Sequence, residues 1–293
     1  MLPRVRNVLL ALTTLVACYG QPKSHLGWVK WVDESDAAYR RAKEQGKPLL
    51  LEVWAGWCPP CRKMDREVWT DKRIVEAASK FVCVSLDIAR RDIAEVETLV
   101  FGTHGRYKVH ALPTVFILDP WREVILVSEG YIYPKELLAI LNEIPADYNP
   151  VRPAREALIA NRNNSRALEQ VGELYERSHG YGIANRYYRE ALTMSGAKES
   201  DRLREDLTFG VAMNEIRRAD WGAARKWLTQ FRDEFPTSNR TSQAMLGMVL
   251  SDLRQGRRQS AEERVAELEK SYPNSEAAVT ARRLTAAKMA AKR

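Results

Sequence analysis

The sequence predicts an α/β domain followed by an all-α domain of helical repeats, and three observations lead to this prediction. Residues 28–144 alternate between short apolar runs typical of buried strands and amphipathic stretches typical of helices. Residues 145–153 contain three prolines, which interrupt helices, so this segment is expected to be a linker. Residues 154–293 carry only helix-like periodicity, so no strand is expected beyond the linker.

The length and composition agree with two folded domains. A chain of 293 residues exceeds the usual size of a single core. With 45% hydrophobic and 29% charged residues, it has the composition of an ordinary globular protein. These values exclude a chain that is disordered throughout and a membrane protein with many spans.

The elements of the α/β domain follow from turn signals and apolar runs. Asp33 or Ser35 is expected to cap a first helix that reaches Gln45 and ends at Gly46. Residues 48–55 form a continuous apolar run typical of a buried strand. The remaining elements are predicted as helices near 72–79 and 91–101, strands at 81–88, 114–118 and 124–129, and a closing helix at 134–143.

Two cysteines follow the first buried strand and a turn at Gly56. Cys58 is expected to begin a helix, where free N–H groups and the positive end of the helix dipole stabilise a thiolate. Two intervening residues bring Cys61 within bonding reach, so Cys61 can attack a mixed disulfide on Cys58. Proline in both intervening positions suits a first helical turn. The motif predicts thiol–disulfide exchange with Cys58 as nucleophile and Cys61 as resolving thiol.

Residues 28–143 resemble the thioredoxin superfamily. The segment from Glu52 to Lys63, with Trp-Cys-Pro-Pro-Cys at its centre, is similar to the family's active-site segment, and Ala-Leu-Pro-Thr at 111–114 is similar to its cis-proline loop. The resemblance implies a cis peptide bond before Pro113, a loop that faces the cysteines, and a backbone at Leu112 that pairs with the substrate chain. We therefore expect these substrate-binding residues: Trp57, Pro59, Leu112 and Pro113.

Glu52 lies six residues before Cys58 within the apolar strand. A buried carboxylate is costly unless it has a partner or a task. The resemblance implies that Glu52 is the proton acceptor for Cys61, completing a catalytic set of Cys58, Cys61 and Glu52. The alternative is a glutamate at an exposed strand end.

Departures from typical thioredoxins indicate a subgroup. Arg66 stands where many members have a proline that kinks the helix, and residues 61–69 are similar to the thioredoxin-like subgroup that contains the C-terminal domain of DsbD. The strand alignment puts Cys83 near the position of a family lysine that reaches the buried acid. A lone strand cysteine is usually a small buried hydrophobe, and we expect this of Cys83.

No metal or other cofactor is expected. The four histidines show no ligand spacing. His110, three residues before Pro113, is placed near the substrate groove.

The amino terminus predicts export. A short basic segment precedes an apolar run at residues 8–17, which has the length of a secretory signal and is too short to span a bilayer as a helix. Leu-Val-Ala-Cys at 15–18 resembles the lipobox of bacterial lipoproteins, which implies a signal peptide over 1–17, lipidation of Cys18 and a tether over 18–27. The alternative is an ordinary cleaved signal. Either places the protein in the bacterial envelope, facing the periplasm or the outside.

The helical half resembles tetratricopeptide repeats. Three units are predicted near 165–198, 204–238 and 242–275, followed by a helix to about residue 288. Small residues at Gly172 and Ala184 would let paired helices approach closely. Such stacks commonly bind proteins, and the alternative is a generic helical bundle.

The basic charge belongs to the helical half. Of the net charge of +8, residues 150–293 carry 26 basic and 19 acidic side chains, whereas residues 24–149 carry 17 and 19. This predicts either a mixed-sign solvated surface or a surface that binds an acidic protein partner or the anionic envelope, and export makes a nucleic acid partner unexpected.

Together these observations predict an exported, membrane-tethered thiol–disulfide oxidoreductase that acts as a reductant. Its partners would be a disulfide-bearing client protein and an upstream thiol electron donor. The alternative is an envelope interaction or assembly lipoprotein in which the cysteine pair is structural.

Overall fold

The computed structural model describes residues 28–96, 107–194 and 201–290. The predicted signal peptide, Cys18 and the tether lie outside the described residues, as does the end of the helix predicted near 91–101. No helix among the described residues is long and apolar enough to cross a membrane.

A five-stranded mixed sheet forms the centre of the first half. Its strands are β1 (Val32–Asp33), β2 (Leu49–Trp54), β3 (Val82–Asp87), β4 (Thr114–Leu118) and β5 (Val124–Glu129), in the spatial order β1-β3-β2-β4-β5. The first three strands are parallel, whereas β4 runs antiparallel to β2 and β5 antiparallel to β4. Every residue of the central strand β2 is buried, as its continuous apolar run predicts.

Helices cover both faces of the sheet. They are α1 (Asp36–Gln45), α2 (Pro59–Glu67), α3 (Lys72–Ala78), α4 (Ile93–Val96) and α5 (Pro134–Asn142). Of the two expected caps for α1, Ser35 is the one used: its side chain accepts the N–H of Ala38. Gly46 ends the helix in the left-handed conformation with φ of 65°.

Side-chain alternation along β2 sorts the core into two layers. Leu49, Leu51 and Val53 point to the layer that contains Ala38 and Ala42 of α1. Leu50 points to the opposite layer, with Met64 of α2 and Leu137 of α5. The face carrying Leu50 is the one on which α2 begins, so it positions the cysteine pair.

The second half is helical, which confirms the predicted fold class. It contains α6 (Arg152–Ala160), α7 (Ser165–Arg177), α8 (Tyr181–Met194), α9 (Asp201–Arg217), α10 (Trp221–Glu234), α11 (Thr241–Arg254), α12 (Arg258–Ser271) and α13 (Glu276–Ala290). From α7 to α12 the helices pack as successive pairs whose bounds follow the three predicted units. The tetratricopeptide assignment itself stays a prediction.

Residues 145–153 join the two halves without an extended connection. A 3-10 turn at Asn149–Val151 leads directly into α6. The fully buried Tyr148 bonds through its hydroxyl to that of Tyr175 at 2.6 Å, and its N–H donates to the carbonyl of Gly46. One hydrophobic core therefore continues from the sheet layer with Leu50 into α6, α7 and α8.

Most arginines of the helical half form ion pairs. Those paired with acidic side chains of the same chain are Arg155, Arg162, Arg166, Arg177, Arg189, Arg202, Arg204, Arg217, Arg218, Arg225, Arg232, Arg240, Arg257, Arg264 and Arg282. Three of them surround the buried Asp252 of α11. This pattern favours the mixed-sign surface over a free basic patch.

Candidate active site

The cysteine pair lies where β2 ends and α2 begins. After Trp54 the chain turns, and the N–H of Cys58 donates to the carbonyl of Ala55 at 3.0 Å. Cys58 is the N-cap of α2 in extended conformation, and its Sγ accepts the N–H of Cys61 at 3.3 Å. The first two positions of the helix are both proline, and the missing N–H costs little there because the first turn has no intrahelical acceptor for it. The helix therefore directs its amino terminus at the sulfur of Cys58, as predicted.

Cys58 and Cys61 form a disulfide, with Cα atoms 5.3 Å apart. Both residues are buried in this oxidised state, being 3% and 1% exposed, whereas Trp57 is 66% exposed. The sulfurs pack in a small cluster with Trp54, Ala55 and the partly buried Leu112. The adjoining Trp57 and Pro59 are both exposed beside the disulfide, where the sequence predicts substrate-binding residues.

The loop before β4 lies against the cysteine pair. Its Leu112–Pro113 peptide bond is cis, as the resemblance implies, and Leu112 packs against the cluster that contains both cysteines. The carbonyl of Pro113 accepts the N–H of Gly130 at 2.7 Å. The hydroxyl of Thr114 donates to the carbonyl of Ala111 at 2.6 Å, so both sides of the loop are hydrogen-bonded.

Glu52 is buried beneath the start of α2. Its side chain is 1% exposed, in the middle of β2, which is not the exposed strand end that was the alternative. By alternation it shares a face with Leu50, which packs with Met64 of α2, and with Trp54, which packs with the cysteines. A carboxyl group therefore lies within the apolar layer that holds the disulfide.

The register between β2 and β3 gives the position of Cys83 relative to the buried acid. Glu52 pairs with Ser85, whereas Cys83 lies two residues away, opposite Leu50. Ser85 therefore takes the place beside the buried acid, and its hydroxyl accepts the indole N–H of Trp54 at 2.8 Å. Side chains alternate along a strand, so Cys83 and Ser85 lie on the same face of β3.

Cys83 is the free cysteine of the described residues, and it is buried. Desolvation raises the pKa of its thiol to about 12. Its sulfur lies 3.5 Å from the carbonyl oxygen of Ala78. The prediction of a small buried hydrophobe is confirmed.

His110 lies at the edge of the cis-proline loop. Its Nδ1 is 2.7 Å from a carboxylate oxygen of Glu129, and its backbone N–H donates to the same oxygen. These hydrogen bonds from His110 lower the pKa of Glu129. Glu129 pairs with Thr114 in the sheet, so His110 is held next to the loop. Among the described residues, no three histidine, cysteine or acidic side chains are grouped closely enough to hold a metal ion.

Sequence reasoning missed the hydrogen bond between Trp54 and Ser85. Both residues lie on the face of Glu52, and the two-residue periodicity of each strand gives that face. Their contact depends on the strand register, which no local sequence signal specifies here.

Comparison with known proteins agrees with this geometry. The profile of a thioredoxin-like family matches residues 30–120. The thiol:disulfide interchange protein DsbD of Escherichia coli K12 is 29% identical over 101 residues, which are 34% of this chain and 17% of that protein. DsbD of Ralstonia nicotianae is 38% identical over 60 residues, covering 20% of this chain and 10% of its own length. The chain thus matches only a small part of these curated relatives.

A solved structure of a proposed disulphide-isomerase from Bacteroides thetaiotaomicron shares 24% identity, with a TM-score of 0.33 over 39% of this chain and 90% of that one. Residues 30–120 are a thioredoxin-like domain with a Cys58–Cys61 pair, homologous to part of DsbD. An all-helical region follows this domain.

Proposed function

We propose that the protein is an exported, membrane-tethered thiol–disulfide oxidoreductase that reduces disulfides of client proteins. The observation that carries the proposal is the Cys58–Cys61 disulfide at the amino terminus of α2, packed against the cis-proline loop. Homology to part of a thiol:disulfide interchange protein supports the same chemistry.

The exchange begins from the reduced pair. The Cys58 thiolate attacks one sulfur of a client disulfide, which forms a mixed disulfide and releases a client thiolate that takes up a proton. The Cys61 thiol loses its proton to Glu52, and its sulfur then attacks Cys58. This step releases the second client thiol and forms the intramolecular disulfide. Two electrons pass to the client, so an upstream thiol donor must reduce the pair again.

The substrate-binding assignment extends the proposal to four residues. Trp57 and Pro59 offer exposed surface beside Cys58, and Leu112, which precedes Pro113, packs against the cluster that contains both cysteines. An extended client segment could pair its backbone with Leu112 while its disulfide sulfur meets Cys58. The exposed indole of Trp57 provides apolar contact area at this rim.

Two serine substitutions test the catalytic roles. Cys58→Ser should abolish reduction of a small disulfide by the full chain, because no nucleophile remains. Cys61→Ser should instead accumulate a covalent mixed disulfide, because resolution is blocked. Cys83→Ser is the matched control and should keep the wild-type rate, since its thiol is buried and protonated. Wild-type turnover by Cys58→Ser would disprove the proposal and favour a structural cysteine pair in an assembly protein.

The direction of electron flow follows from the redox potential. Proteins of this fold range from about −270 to −120 mV. We propose a value toward the negative end, as a reductant requires, and equilibration of the chain with a glutathione buffer measures it. A value near −120 mV would identify an oxidant instead.

The helical half is proposed to bind the client or another envelope protein. It carries an apolar groove of about 700 Å³ between α9, α11 and α13, and residues lining it include Phe209, Met213, Leu246, Leu250 and Leu284. An acidic partner would have to compete with the acids already paired to most arginines, so we propose the groove as the contact. Leu250→Asp should reduce trapping of natural clients by Cys61→Ser and leave reduction of a small disulfide unchanged. Equal effects on both readouts would contradict this role.

Membrane attachment is proposed through lipid on Cys18. The lipobox-like sequence after the apolar run supports it. Cys18→Ala should move the protein from the membrane fraction to the soluble fraction, and an unchanged distribution would contradict a lipid anchor.

A further inference from the structure

A pocket at the amino ends of β2 and β3 is separate from the thiol–disulfide site. Its volume is about 420 Å³. Its walls are formed by residues 28–32, the end of α1, α3 and the beginning of β3. We refer to it as the N-terminal pocket.

The N-terminal pocket combines cations with an apolar wall. Lys30, Arg41 and Lys47 line it, and no acidic side chain does. Its apolar lining includes Trp31, Val75 and Phe81, with Trp28 also lining the pocket and 58% exposed. A ligand that fits this lining has a negative charge next to an apolar portion.

The three cations of the pocket have no acidic partner among the described residues. Within the described residues, Lys30, Arg41 and Lys47 make no ion pair, in contrast to most arginines of the helical half. Lys30 and Arg41 are exposed and Lys47 is half-buried. An anion bound here would not have to displace a carboxylate of the described residues.

The position of the pocket indicates the source of the anion. The described chain begins at Trp28, ten residues after Cys18, and ten residues reach at most about 35 Å. A lipid anchor on Cys18 would thus hold the pocket close to the bilayer. Tryptophan and clustered cations are the side chains that favour the interface of an anionic membrane.

We propose that the N-terminal pocket binds the phosphate headgroup of an anionic membrane phospholipid. Lys30, Arg41 and Lys47 face the phosphate, and the apolar wall meets the glycerol and the first part of the acyl chains. The inference deepens the proposed function and rests on its membrane tether.

Such binding would orient the redox pair. Strands β1, β2 and β3 are parallel, and the pocket lies at their amino ends, whereas Cys58 follows the carboxyl end of β2. The six residues of β2 separate these ends by about 20 Å. A membrane at the pocket would leave the cysteine pair facing away from the bilayer, toward clients.

Vesicle binding of the unacylated chain tests the inference. The chain from residue 19, which contains every described residue, is mixed with vesicles of phosphatidylglycerol and phosphatidylcholine or of phosphatidylcholine alone, and bound protein is measured by sedimentation. The variant Lys30→Glu, Arg41→Glu, Lys47→Glu should bind the anionic vesicles at least tenfold more weakly than the wild type. Neither the wild type nor the variant should bind vesicles of phosphatidylcholine alone.

A control variant separates the pocket from net charge. Arg258→Glu, Lys270→Glu, Arg283→Glu makes the same charge change at exposed helical positions and should bind within about twofold of the wild type. Equal weakening of both variants, or wild-type binding by the pocket variant, would overturn the proposal. Binding of the pocket to polyglutamate but not to anionic vesicles would also overturn it.

Failure of the pocket inference can be distinguished from failure of the proposed function. The pocket variant should reduce a small disulfide at the wild-type rate, because its substitutions lie at the opposite end of the sheet. Intact reduction without vesicle binding overturns the pocket alone. If the purified chain binds the anionic vesicles but the protein is not acylated in cells, only the proposed lipid tether is overturned.

Discussion

At the scale of single residues, the immediate surroundings of each ionisable group near the disulfide decide what that group can do. Cys58 lies at the end of a helix dipole, whereas Cys83 lies within the sheet layer, where desolvation raises its pKa to about 12. Glu52 is buried in β2, where it pairs with Ser85 of β3. Cys58 and Cys83 are both buried, and they differ because only Cys58 lies at a helix amino terminus.

Replacing Glu52 by Gln should slow the second step of exchange. The amide keeps the shape of the side chain but cannot accept the Cys61 proton, and positioned proton transfer contributes about 10²-fold or more. Mixed disulfides with a client should accumulate in single-turnover experiments, most strongly at low pH, where less Cys61 thiolate forms unaided. Glu136→Gln, on the exposed side of α5, is the control. An unchanged resolution rate in Glu52→Gln would exclude the proton-acceptor role.

Cys83 should resist alkylation in the folded protein. With a pKa of about 12, only about 10⁻⁴ of the thiol is ionised at pH 8, and the side chain is also buried. Mass spectrometry after iodoacetamide treatment should show no label on Cys83 until the chain is denatured, while Cys58 of the reduced chain reacts. The labelled fraction should rise as the pH approaches 12. Rapid labelling of Cys83 at pH 8 would contradict its burial.

At the scale of elements, close approach of paired helices determines where small residues are required. A Cβ atom added at Gly172 of α7 would lie 2.4 Å from a ring carbon of Tyr188 of α8. The sequence predicts that a neighbouring helix approaches closely at Gly172, because this glycine falls on the inner face of an amphipathic helix. The aromatic side chain that fills the space is identified only by the packing of the two helices.

Gly172→Ala should destabilise the protein even though alanine is the better helix former. The helix propensity gain is at most about 1 kcal/mol, and overpacking costs about 1–3 kcal/mol. Gly222→Ala in α10 is the matched control, since its nearest neighbouring atom is 3.6 Å away. Urea titrations should show a lower midpoint for Gly172→Ala and an equal or higher midpoint for Gly222→Ala. Equal midpoints in the two variants would contradict the tight helix contact.

At the scale of the whole molecule, a buried ionic cluster joins the two halves. Arg155 of α6 forms ion pairs with Asp119, which follows β4, and with Glu123 at 2.7 Å. Desolvation raises the pKa of Asp119 to about 6, while Arg155 opposes that rise. Together with Tyr148 in the shared core, this cluster ties the helical half to the sheet. A chain cut near residue 150 would expose both features.

Arg155→Met should destabilise both halves together. Removing one member of a buried ion pair costs about 3–5 kcal/mol, because the remaining carboxylate is left without compensation. The double variant Arg155→Met, Asp119→Asn should lose less stability than Arg155→Met alone. Far-ultraviolet circular dichroism and tryptophan fluorescence should report one coincident transition in each variant. Separate transitions would indicate that the halves unfold independently, and additive effects of the two substitutions would indicate that Arg155 and Asp119 do not stabilise each other.

The sequence by itself determined the classes of structure and the chemistry of the cysteine pair. Apolar runs and helical periodicity are local, so β2 and α1 could be predicted within a few residues and the region beyond residue 154 could be predicted as helical, and Cys58 and Cys61 lie close together in a short motif. Only the tertiary structure decided which residue stands beside Glu52, because strand register is a long-range property. It also decided that one core joins the two halves and that most helical arginines are ion-paired, whereas the cations of the N-terminal pocket make no ion pair within the described residues. These outcomes depend on contacts between distant segments, whose energies are not encoded in any local pattern.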